Sequence, residues 1–522
     1  MKTALGFAAI SLAVACVFWP GLAETAADTP VTAAPGVAAP APTPLVHTWT
    51  GCHLNGGIGY GMWKQDHYGE TLTPLTQLTP TVSTGAEGWL GTVGAGCDYQ
   101  AGSRWLIGAF GDYNLMNVVY GGTFQEPYWG WIANETEQGA WAVGGRIGYL
   151  VTPKLLSYVS VGFTQAHAGQ INLLSDTAPA VAPAPCGAGP CFIPAHSDNG
   201  WFIGSGVEYS LSDIFPFPGL FWRTDYRYSR YNSADLPILT STGAPVSARC
   251  TGTAAVACGE HMQKDVQTFT TGLVWRFNLD GPPSGSAFAA DMPVTAAPGV
   301  AAPAPTPPVY TWTGCHLNGG AGYGMWEQDH YTYDLPQTGS TGGEGWVGTV
   351  GAGCDYQAGS WVIGVLADYD FMHLSGSFKD PFLGYIGNQT ASAAWAEGGR
   401  IGYLVTPKLL IYSNAGVPQT HFDRINLLSP SSSPTPYFYP AHTYPSGYFL
   451  GAGIEYALGD IVPLKGLFWR TEYRYFEYFG GTRLPLLMNT GSSTSPPLTI
   501  SFGKDVQTIT GGFVWRFNFG GP

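Results

Sequence analysis

The sequence KDVQTFTTGLVWRF, residues 264–277, returns near the end of the chain as KDVQTITGGFVWRF, residues 504–517. In the first copy apolar side chains alternate with small or polar ones, a pattern that predicts a β-strand with one apolar face. The stretches upstream of each copy have the same pattern, so we expect each copy to be the closing strand of a β-barrel. The apolar positions are Phe269, Leu273, Trp275 and Phe277, and the polar positions are Thr268, Thr270, Gly272 and Arg276.

The composition is unlike that of an ordinary soluble domain. Charged residues make up 11% of the 522 residues, whereas about 25% is usual. Aromatic residues reach 14%, and there are 73 glycines. The net charge of −14, without a basic stripe, excludes nucleic acid as a partner because nothing is available to meet phosphates. The length is sufficient for two or more domains.

Residues 1–23 have the composition of an export signal. Lys2 supplies a positive charge, residues 4–19 are apolar, and Gly21-Leu22-Ala23 offers small residues for cleavage. Beyond this segment there is no apolar run of about 18 residues, so the sequence predicts no transmembrane helix. A mature chain that enters a membrane must therefore form a closed β-barrel, because open sheet edges are not tolerated in hydrocarbon.

The chain is a tandem duplication. PVTAAPGVAAPAPTP at residues 30–44 recurs unchanged at 293–307, and TWTGCHLNGG begins at both Thr48 and Thr311. The Pro/Ala-rich segments carry no pattern that could bury a face, so we expect them to be extended. The predicted domains are a signal peptide at 1–23, a Pro/Ala-rich tail at 24–48, a barrel at 49–279, a Pro/Ala/Gly-rich linker at 280–311 and a second barrel at 312–519.

Eight strands are predicted in each copy, each long enough to cross a bilayer at a tilt. Length differences between the copies fall in four connections rich in Pro, Gly, Ser and Thr, which alternate with short connections of nearly constant length. This alternation is typical of outer-membrane barrels with periplasmic turns and long external loops. A soluble β-sandwich is the alternative, since its strands also alternate. The strands predicted in the first copy are residues 51–63, 88–100, 105–116, 138–151, 155–167, 200–211, 220–231 and 264–279.

Sixteen predicted strands could form barrels in two ways. Either each copy closes on itself as an eight-stranded barrel, or all sixteen strands form one wide pore. The first copy keeps its own closing strand, and the linker is far longer than a turn requires. We therefore predict an all-β fold of two tandem eight-stranded antiparallel barrels.

Several motifs resemble a known family. WTGCHLNGGIGYG, GAGCDYQAGS, GGRIGYL and DVQT followed by VWRF are similar to segments of the small porin-like outer-membrane β-barrel proteins of proteobacteria, often labelled outer-membrane immunogenic proteins. The resemblance spans nearly all of both copies and implies an outer-membrane location with periplasmic termini and linker. Outer-membrane lipid and the barrel-insertion machinery are the partners it implies. Phe519 is followed by Gly-Gly-Pro, whereas the family usually ends on the aromatic residue.

Strand parity predicts a charged interior in each barrel. When the aromatic and aliphatic side chains face outward, four acids and four arginines per copy face inward. An eight-stranded barrel is only wide enough to be filled by side chains, so these charges must pair. A salt-bridged plug is the expected arrangement, and a narrow solute path is the alternative. The predicted lumen residues are Asp98, Asp112, Arg146, Glu208, Arg223, Asp225, Arg227 and Arg276, then Asp355, Asp368, Arg400, Glu455, Arg470, Glu472, Arg474 and Arg516.

Eight cysteines remain after removal of the signal peptide, and an exported protein meets an oxidising compartment. Two pairs have the same parity on neighbouring strands and lie nearly opposite each other, so they are candidates for cross-strand disulfides, with buried thiols as the alternative. Two more pairs occur only in long loops of the first copy, where bridges within or between loops are possible. The cross-strand pairs are Cys52 with Cys97 and Cys315 with Cys354, and the loop pairs are Cys186 with Cys191 and Cys250 with Cys258.

Catalytic and cofactor motifs are missing from the sequence. It contains no HExxH, Walker loop, GxSxG or CxxC, and the histidines, including His53 and His316, lack metal-ligand spacing. We expect no enzyme and no cofactor. The pairs that could suggest a hydrolase site, His167 with Ser175 and His421 with Ser429, fall where the strands end.

The expected function is that of a structural or surface-interacting outer-membrane protein with at most narrow solute permeability. A diffusion porin is one alternative. Another is a surface receptor for haem or an unidentified ligand, for which the loop residues Tyr128, Trp129 and Trp131 are candidates, although aromatic residues are also usual at barrel rims.

Overall fold

The computed structural model describes most of the chain between residues 49 and 517. The predicted signal peptide, the tail and all of the linker except Thr311 lie outside the described part. The described residues are 49–116, 121–127, 131–174, 186, 189–212, 215, 217–246, 256–277, 311–332, 339–429, 433–444, 447–459, 462, 464–479, 482–494 and 497–517.

Among its described residues the first copy has thirteen β-strands, eight of them long. Each long strand alternates small or polar residues with apolar ones, as β-structure with two different faces requires. The strands are β1 Gly51–Leu72, β2 Leu75–Gln77, β3 Val82–Ala101, β4 Trp105–Leu115, β5 Gly121–Gln125, β6 Ile132–Thr152, β7 Leu155–Ala168, β8 Ile171–Leu173, β9 Cys191–Ile193, β10 His196–Ser210, β11 Leu220–Tyr231, β12 Ala234–Pro237 and β13 Cys258–Phe277.

The second copy repeats this plan. Its strands are β14 Gly314–Thr332, β15 Gly339–Ala358, β16 Trp361–Lys379, β17 Ile386–Thr406, β18 Leu409–Phe422, β19 Ile425–Leu428, β20 Pro434–Tyr439, β21 His442–Tyr444, β22 Gly447–Ala457, β23 Leu467–Tyr478, β24 Thr482–Pro485, β25 Leu487–Met488 and β26 Thr499–Phe517. In the described part of the chain there is no helix with the length and hydrophobicity needed to cross a bilayer.

Each copy closes on itself. In the first, antiparallel pairing runs β1-β3-β4-β6-β7-β10-β11-β13 and returns to β1, so that Trp63 lies opposite Ala86 on one side and Val266 on the other. In the second, the ring β14-β15-β16-β17-β18-β22-β23-β26 closes in the same way. The prediction of two eight-stranded barrels is confirmed, and the single sixteen-stranded barrel is not formed.

The two ends of each barrel differ. At the short-turn end, the long strands are joined by the connections 102–104, 153–154 and 211–219 of the first copy. The last of these needs a glycine, because Gly219 has a φ of 79° and a Cβ there would lie 2.3 Å from the carbonyl oxygen of Arg276. At the opposite, long-loop end, the short strands β2, β5 and β12 extend the wall, while β8 and β9 form a separate two-stranded sheet.

The strands are longer at the long-loop end than predicted. β1 continues to Leu72 rather than ending at Trp63, and β6 begins at Ile132 rather than residue 138. The predicted ends were wrong because the polarity of the two faces inverts there. Below this level apolar residues point outward, whereas above it outward positions are polar, as with Asn134 and Asn199, and the interior becomes apolar.

An apolar core fills each barrel above this inversion. The second barrel has the larger one, in which Trp326, Leu374 and Phe502 are fully buried. The first barrel's core includes Phe124 and Trp131. The long-loop end is therefore built like a soluble β-barrel on top of a membrane-type wall.

Because each ring closes within its own copy, we predict that residues 49–279 and 312–519, produced separately, fold into barrels. Each half should migrate differently on gels before and after boiling, as detergent-resistant closed barrels do. If only the full-length chain showed the shift, the copies would depend on each other for closure.

Candidate functional site

The outer wall of the first barrel carries an apolar band bordered by two rings of aromatic residues. Between the rings, Ile107, Ile147 and Val159 are each more than half exposed. The ring at the short-turn end includes Tyr99, Trp105, Tyr149 and Trp275, and the ring towards the long-loop end includes Tyr113, Trp141, Phe163 and Trp201. This arrangement is characteristic of a wall that contacts hydrocarbon between two interfaces.

Inside this band, a lower ionic layer joins four strands. It consists of Asp98, Arg146, Glu208 and Arg276. Arg146 contacts Asp98 at 2.5 Å and Glu208 at 2.6 Å. Arg276 contacts the same two carboxylates at 2.6 and 2.5 Å. Two acids and two guanidinium groups thus form a closed, charge-neutral ring, which is the condition for burying charge at acceptable cost.

Aromatic rings and one imidazole group pack against the arginines of the lower ionic layer. Arg146 Nη2 lies 3.0 Å from His53 Nε2, so a neutral imidazole accepts its hydrogen bond. The guanidinium group of Arg276 lies over the rings of Trp49, at 4.9 Å, and Phe221, at 5.2 Å. Trp49 is fully buried and closes the lumen towards the short-turn end.

An upper ionic layer lies closer to the long-loop end. It consists of Asp112, Arg223, Asp225 and Arg227. Arg227 donates to both oxygens of Asp112, at 2.8 and 2.6 Å, and Arg223 donates to Asp225 at 2.5 Å. These residues line a cavity of about 20 Å³, which has room for about one water molecule.

The second barrel repeats both layers. Arg400 lies 2.6 Å from Glu455, and Arg516 contacts Asp355 and Glu455 at 2.5 Å each. The upper layer pairs Arg474 with both Asp368 and Glu472, while Arg470 lies 2.9 Å from Glu455. The structure therefore places all sixteen predicted lumen residues inside the barrels and brings each into an ion pair.

A third buried ionic group was missed by the sequence analysis. In the first barrel, Lys264 Nζ lies 2.9 Å from Glu135 and 3.8 Å from Glu137, and Gln65 donates to Glu135 at 2.8 Å. Lys264 stands in the closing-strand motif, but both glutamates precede the predicted start of their strand. A register shift between Glu137 and Gly139 reverses the parity of β6, so alternation extended from Arg146 would have placed both glutamates outside the barrel.

In the second barrel the corresponding lysine has lost its acids. Gln389 and Ala391 occupy the positions of the two glutamates, and Lys504 Nζ has no hydrogen-bond partner among the described residues. It lies instead 3.2 Å from the centre of the Phe422 ring and 4.0 Å from that of Trp326.

Disulfides join the first two long strands of each barrel. Cys52 is bonded to Cys97, and Cys315 to Cys354, in both cases between directly paired residues. In the first barrel's loops, the structure bonds Cys186 to Cys191. Cys258 is also disulfide-bonded, and Cys250 lies outside the described residues.

The residues considered for catalysis or ligand binding do not form a site in the described structure. His167 lies 2.7 Å from Ser197, and Ser175 is outside the described residues. His421 lies 3.0 Å from Thr443. Of the loop aromatics, Tyr128 and Trp129 are outside the described part, and Trp131 is buried in the apolar core rather than presented at the surface.

A closed antiparallel wall with an apolar outer band and a polar, ion-paired lumen defines a transmembrane β-barrel. Residues 29–277 match the family model described as outer membrane protein beta-barrel domain. The match covers the first copy of the repeat, and the second copy forms the same ring of eight long strands. The chain is a protein of the outer membrane of a Gram-negative bacterium.

Two curated relatives have the same description, 31 kDa outer-membrane immunogenic protein, and come from Brucella melitensis and Brucella suis. Each is 29% identical over 209 residues, which cover 37% of this chain and 81% of the relative. The relationship to the outer-membrane immunogenic proteins therefore agrees with the family resemblance of the motifs.

Solved structures that match the chain include three bacterial proteins. The attachment invasion locus protein Ail of Yersinia pestis is 12% identical, with 44% of this chain and 99% of that chain covered and a TM-score of 0.22. Neisserial surface protein A is 15% identical, with coverages of 39% and 98% and a TM-score of 0.21. The P. putida toluene transporter TodX is 10% identical, with coverages of 90% and 91% and a TM-score of 0.26. These scores are low, and nothing about function follows from them.

We predict that Arg146→Met lowers the free energy of unfolding by about 3–5 kcal/mol, because it removes one of the two cations that neutralise buried Asp98 and Glu208. The midpoint of urea unfolding, followed by tryptophan fluorescence in detergent, measures the change. Arg104→Met is the matched control, since Arg104 is exposed and bonded to Tyr149, and should stay within about 0.5 kcal/mol. Equal effects of the two substitutions would contradict the role of the lower ionic layer.

The two equivalent lysines should respond in opposite ways to the same substitution. Lys264→Met leaves Glu135 and Glu137 buried without a cation, and we expect a loss of about 3–5 kcal/mol. Lys504→Met removes a buried amine that has no hydrogen-bond partner among the described residues and should be neutral or stabilising, because burying an unpaired polar group is costly. The same urea titration tests both, and a large loss in Lys504→Met would refute the interpretation.

Proposed function

We propose that the chain is a structural or surface-interacting protein of the outer membrane, without enzymatic activity. In this proposal the two filled barrels anchor a folded external platform and allow at most narrow solute passage. The observation that carries it is the pair of stacked ionic layers in each lumen.

The contacts across the lumen support a plug rather than a pore. Asp98 and Arg146 come from β3 and β6, and Glu208 and Arg276 come from β10 and β13, so the lower ionic layer spans the whole cross-section. Trp49 closes one side of this layer, and the opening beside the upper layer is only about 20 Å³. A solute would have to displace several charge-assisted hydrogen bonds at once, which is unfavourable in a confined lumen.

The platform is formed by the long-loop end. It contains the apolar cores above the band and, in the first barrel, the disulfide between Cys186 and Cys191. Loops that are packed and cross-linked present a preformed surface, which lowers the entropic cost of binding a partner. The external ligand is left unidentified in this proposal.

The orientation follows the usual plan of this class of barrel. Short turns face the periplasm and long loops face the exterior, so the tail and the linker between Phe277 and Gly314 would be periplasmic. Barrel-insertion machinery and outer-membrane lipid are the partners implied by this placement. The receptor alternative has less support, because Trp131 is packed inside the core.

Planar-bilayer recording tests the proposal against the diffusion porin. We predict that the purified chain inserts without producing large, steady conductance, whereas a diffusion porin measured in parallel does. Brief openings of small size are compatible with a narrow path. A conductance step comparable to that of the control porin would overturn the plug.

A further inference from the structure

The two barrels pack against each other through equivalent surfaces near the long-loop end. The amide of Ser377 donates to Ser83 Oγ at 3.0 Å, and the amide of Thr123 donates to Ser340 Oγ at 3.3 Å. The two hydrogen bonds are equivalent, because Ser83 and Ser340 occupy the same position in the repeat, and so do Thr123 and Ser377. Exchanging the two copies converts one hydrogen bond into the other. The interface is thus isologous, with an approximate two-fold axis between the barrels.

Two glycines lie at the centre of this interface. A Cβ on Gly85 would lie 2.6 Å from the Cα of Gly342, and a Cβ on Gly342 would lie 2.9 Å from the Cα of Gly85. No larger residue fits at either position without moving the backbone. The close approach brings outward-facing side chains of the two barrels together on both sides of the axis.

The two-fold relation creates two equivalent triads of side chains. Each combines the residue after Met-Trp in the first long strand, the aspartate of the KDVQT motif on the neighbouring strand, and the glutamate of the Glu-Gly-Trp motif from the other barrel. On one side the triad is Lys64, Asp265 and Glu344. On the other it is Glu327, Asp505 and Glu87.

The first triad contains its own cation. Lys64 Nζ lies 3.6 Å from Glu344 and 2.6 Å from the nearby Asp66. Asp265 is the direct β-sheet neighbour of Lys64 and accepts a hydrogen bond from Tyr228 at 2.7 Å. One ammonium group therefore lies among the carboxylates on this side of the interface.

The second triad has a glutamate where the first has the lysine. Oxygen atoms of Glu87, Glu327 and Asp505 all lie within 4.8 Å of one another. Glu327 is only 7% exposed. Tyr60 donates a hydrogen bond to the carboxyl group of Glu87, and Tyr475 donates one to that of Asp505. The atoms Glu87 Oε2 and Asp505 Oδ1 are buried and have no hydrogen-bond partner among the described residues. Three ionised carboxylates enclosed in this way repel one another, and either protons or a bound cation must offset that repulsion.

We propose that Glu87, Glu327 and Asp505 bind a divalent cation of the Ca²⁺ type between the barrels, in the place that the Lys64 ammonium takes in the equivalent triad. Ca²⁺ accepts oxygen ligands at about 2.3–2.6 Å in flexible geometry, so one ion can reach all three carboxylates. Water completes its coordination, since three side chains supply fewer than the usual six to eight oxygens. The ion joins Glu87 of the first barrel to Glu327 and Asp505 of the second.

Equilibrium dialysis of the full-length chain with ⁴⁵Ca²⁺ in detergent, after treatment with EDTA, tests the site. We expect about one tightly bound Ca²⁺ per chain. Glu327→Lys copies the first triad and should abolish this binding. Lys64→Glu copies the second triad and should raise the number bound to about two. An unchanged number in Glu327→Lys, or no binding by the unaltered chain, would overturn the proposal.

A second cluster of possible ligands provides the matched control. Glu70, Asp235 and His261 also lie close together, but His261 is already paired with Asp235 at 2.6 Å. Asp235→Asn should leave Ca²⁺ binding unchanged, and loss of binding there would assign the ion to that cluster instead. Heat-dependent gel mobility shows whether each variant is folded. Should Glu327→Lys not fold, Glu327→Gln keeps the shape of the side chain and should weaken binding at least about tenfold.

Ca²⁺ should also stabilise the folded chain in proportion to its binding. The urea-unfolding midpoint of the unaltered chain should rise with added Ca²⁺, and that of Glu327→Lys should not. An equal rise in both would indicate that the ion acts elsewhere and would contradict the site.

Discussion

An eight-stranded β-barrel encloses a space that side chains must fill. In a membrane protein the outer face of the barrel contacts hydrocarbon, so polar side chains cannot point outward. The polar residues that alternate with the apolar ones therefore have only one another as partners. In the lower ionic layer of each barrel this constraint is met by arginines that share their acids, as Arg146 and Arg276 share Asp98 and Glu208. A closed barrel of this size can therefore form in a membrane only when the charges inside it are paired.

The same strands pass through two different environments. Up to the outer aromatic ring, a strand such as β6 directs Ile147 outward and Arg146 inward. Beyond it, Asn134 points outward, and the interior holds Trp131 and Phe124. Apolar side chains lie on the outer face of the sheet where hydrocarbon surrounds the barrel. They lie on the inner face where water surrounds it. The inversion lets one antiparallel sheet serve as both membrane anchor and soluble platform.

This inversion explains what the sequence could and could not predict. Parity along the strands predicted that Arg146 and Asp98 point inward, because period-two alternation carries through the membrane segment without a break, and in the structure both are buried and paired with each other. It could not find Glu135, because a β-bulge between Glu137 and Gly139 reverses the parity of β6 above it. The pairing of Cys52 with Cys97 followed from register. The approach of Gly85 to Gly342 depends on how two finished barrels pack, and alternation within one strand contains no information about that contact.

Duplication on one chain has a consequence that assembly of identical subunits cannot have. In a symmetric dimer, both triads at the interface would carry the same residue, so a lysine in one would require a lysine in the other. Linking the copies allows position 64 to keep a lysine while position 327 becomes a glutamate. The lumen has diverged in the same way, because Lys264 retains its acids and Lys504 does not. The second copy has thus exchanged paired charges for aromatic contacts inside the barrel, while it has concentrated negative charge at the surface that meets the first.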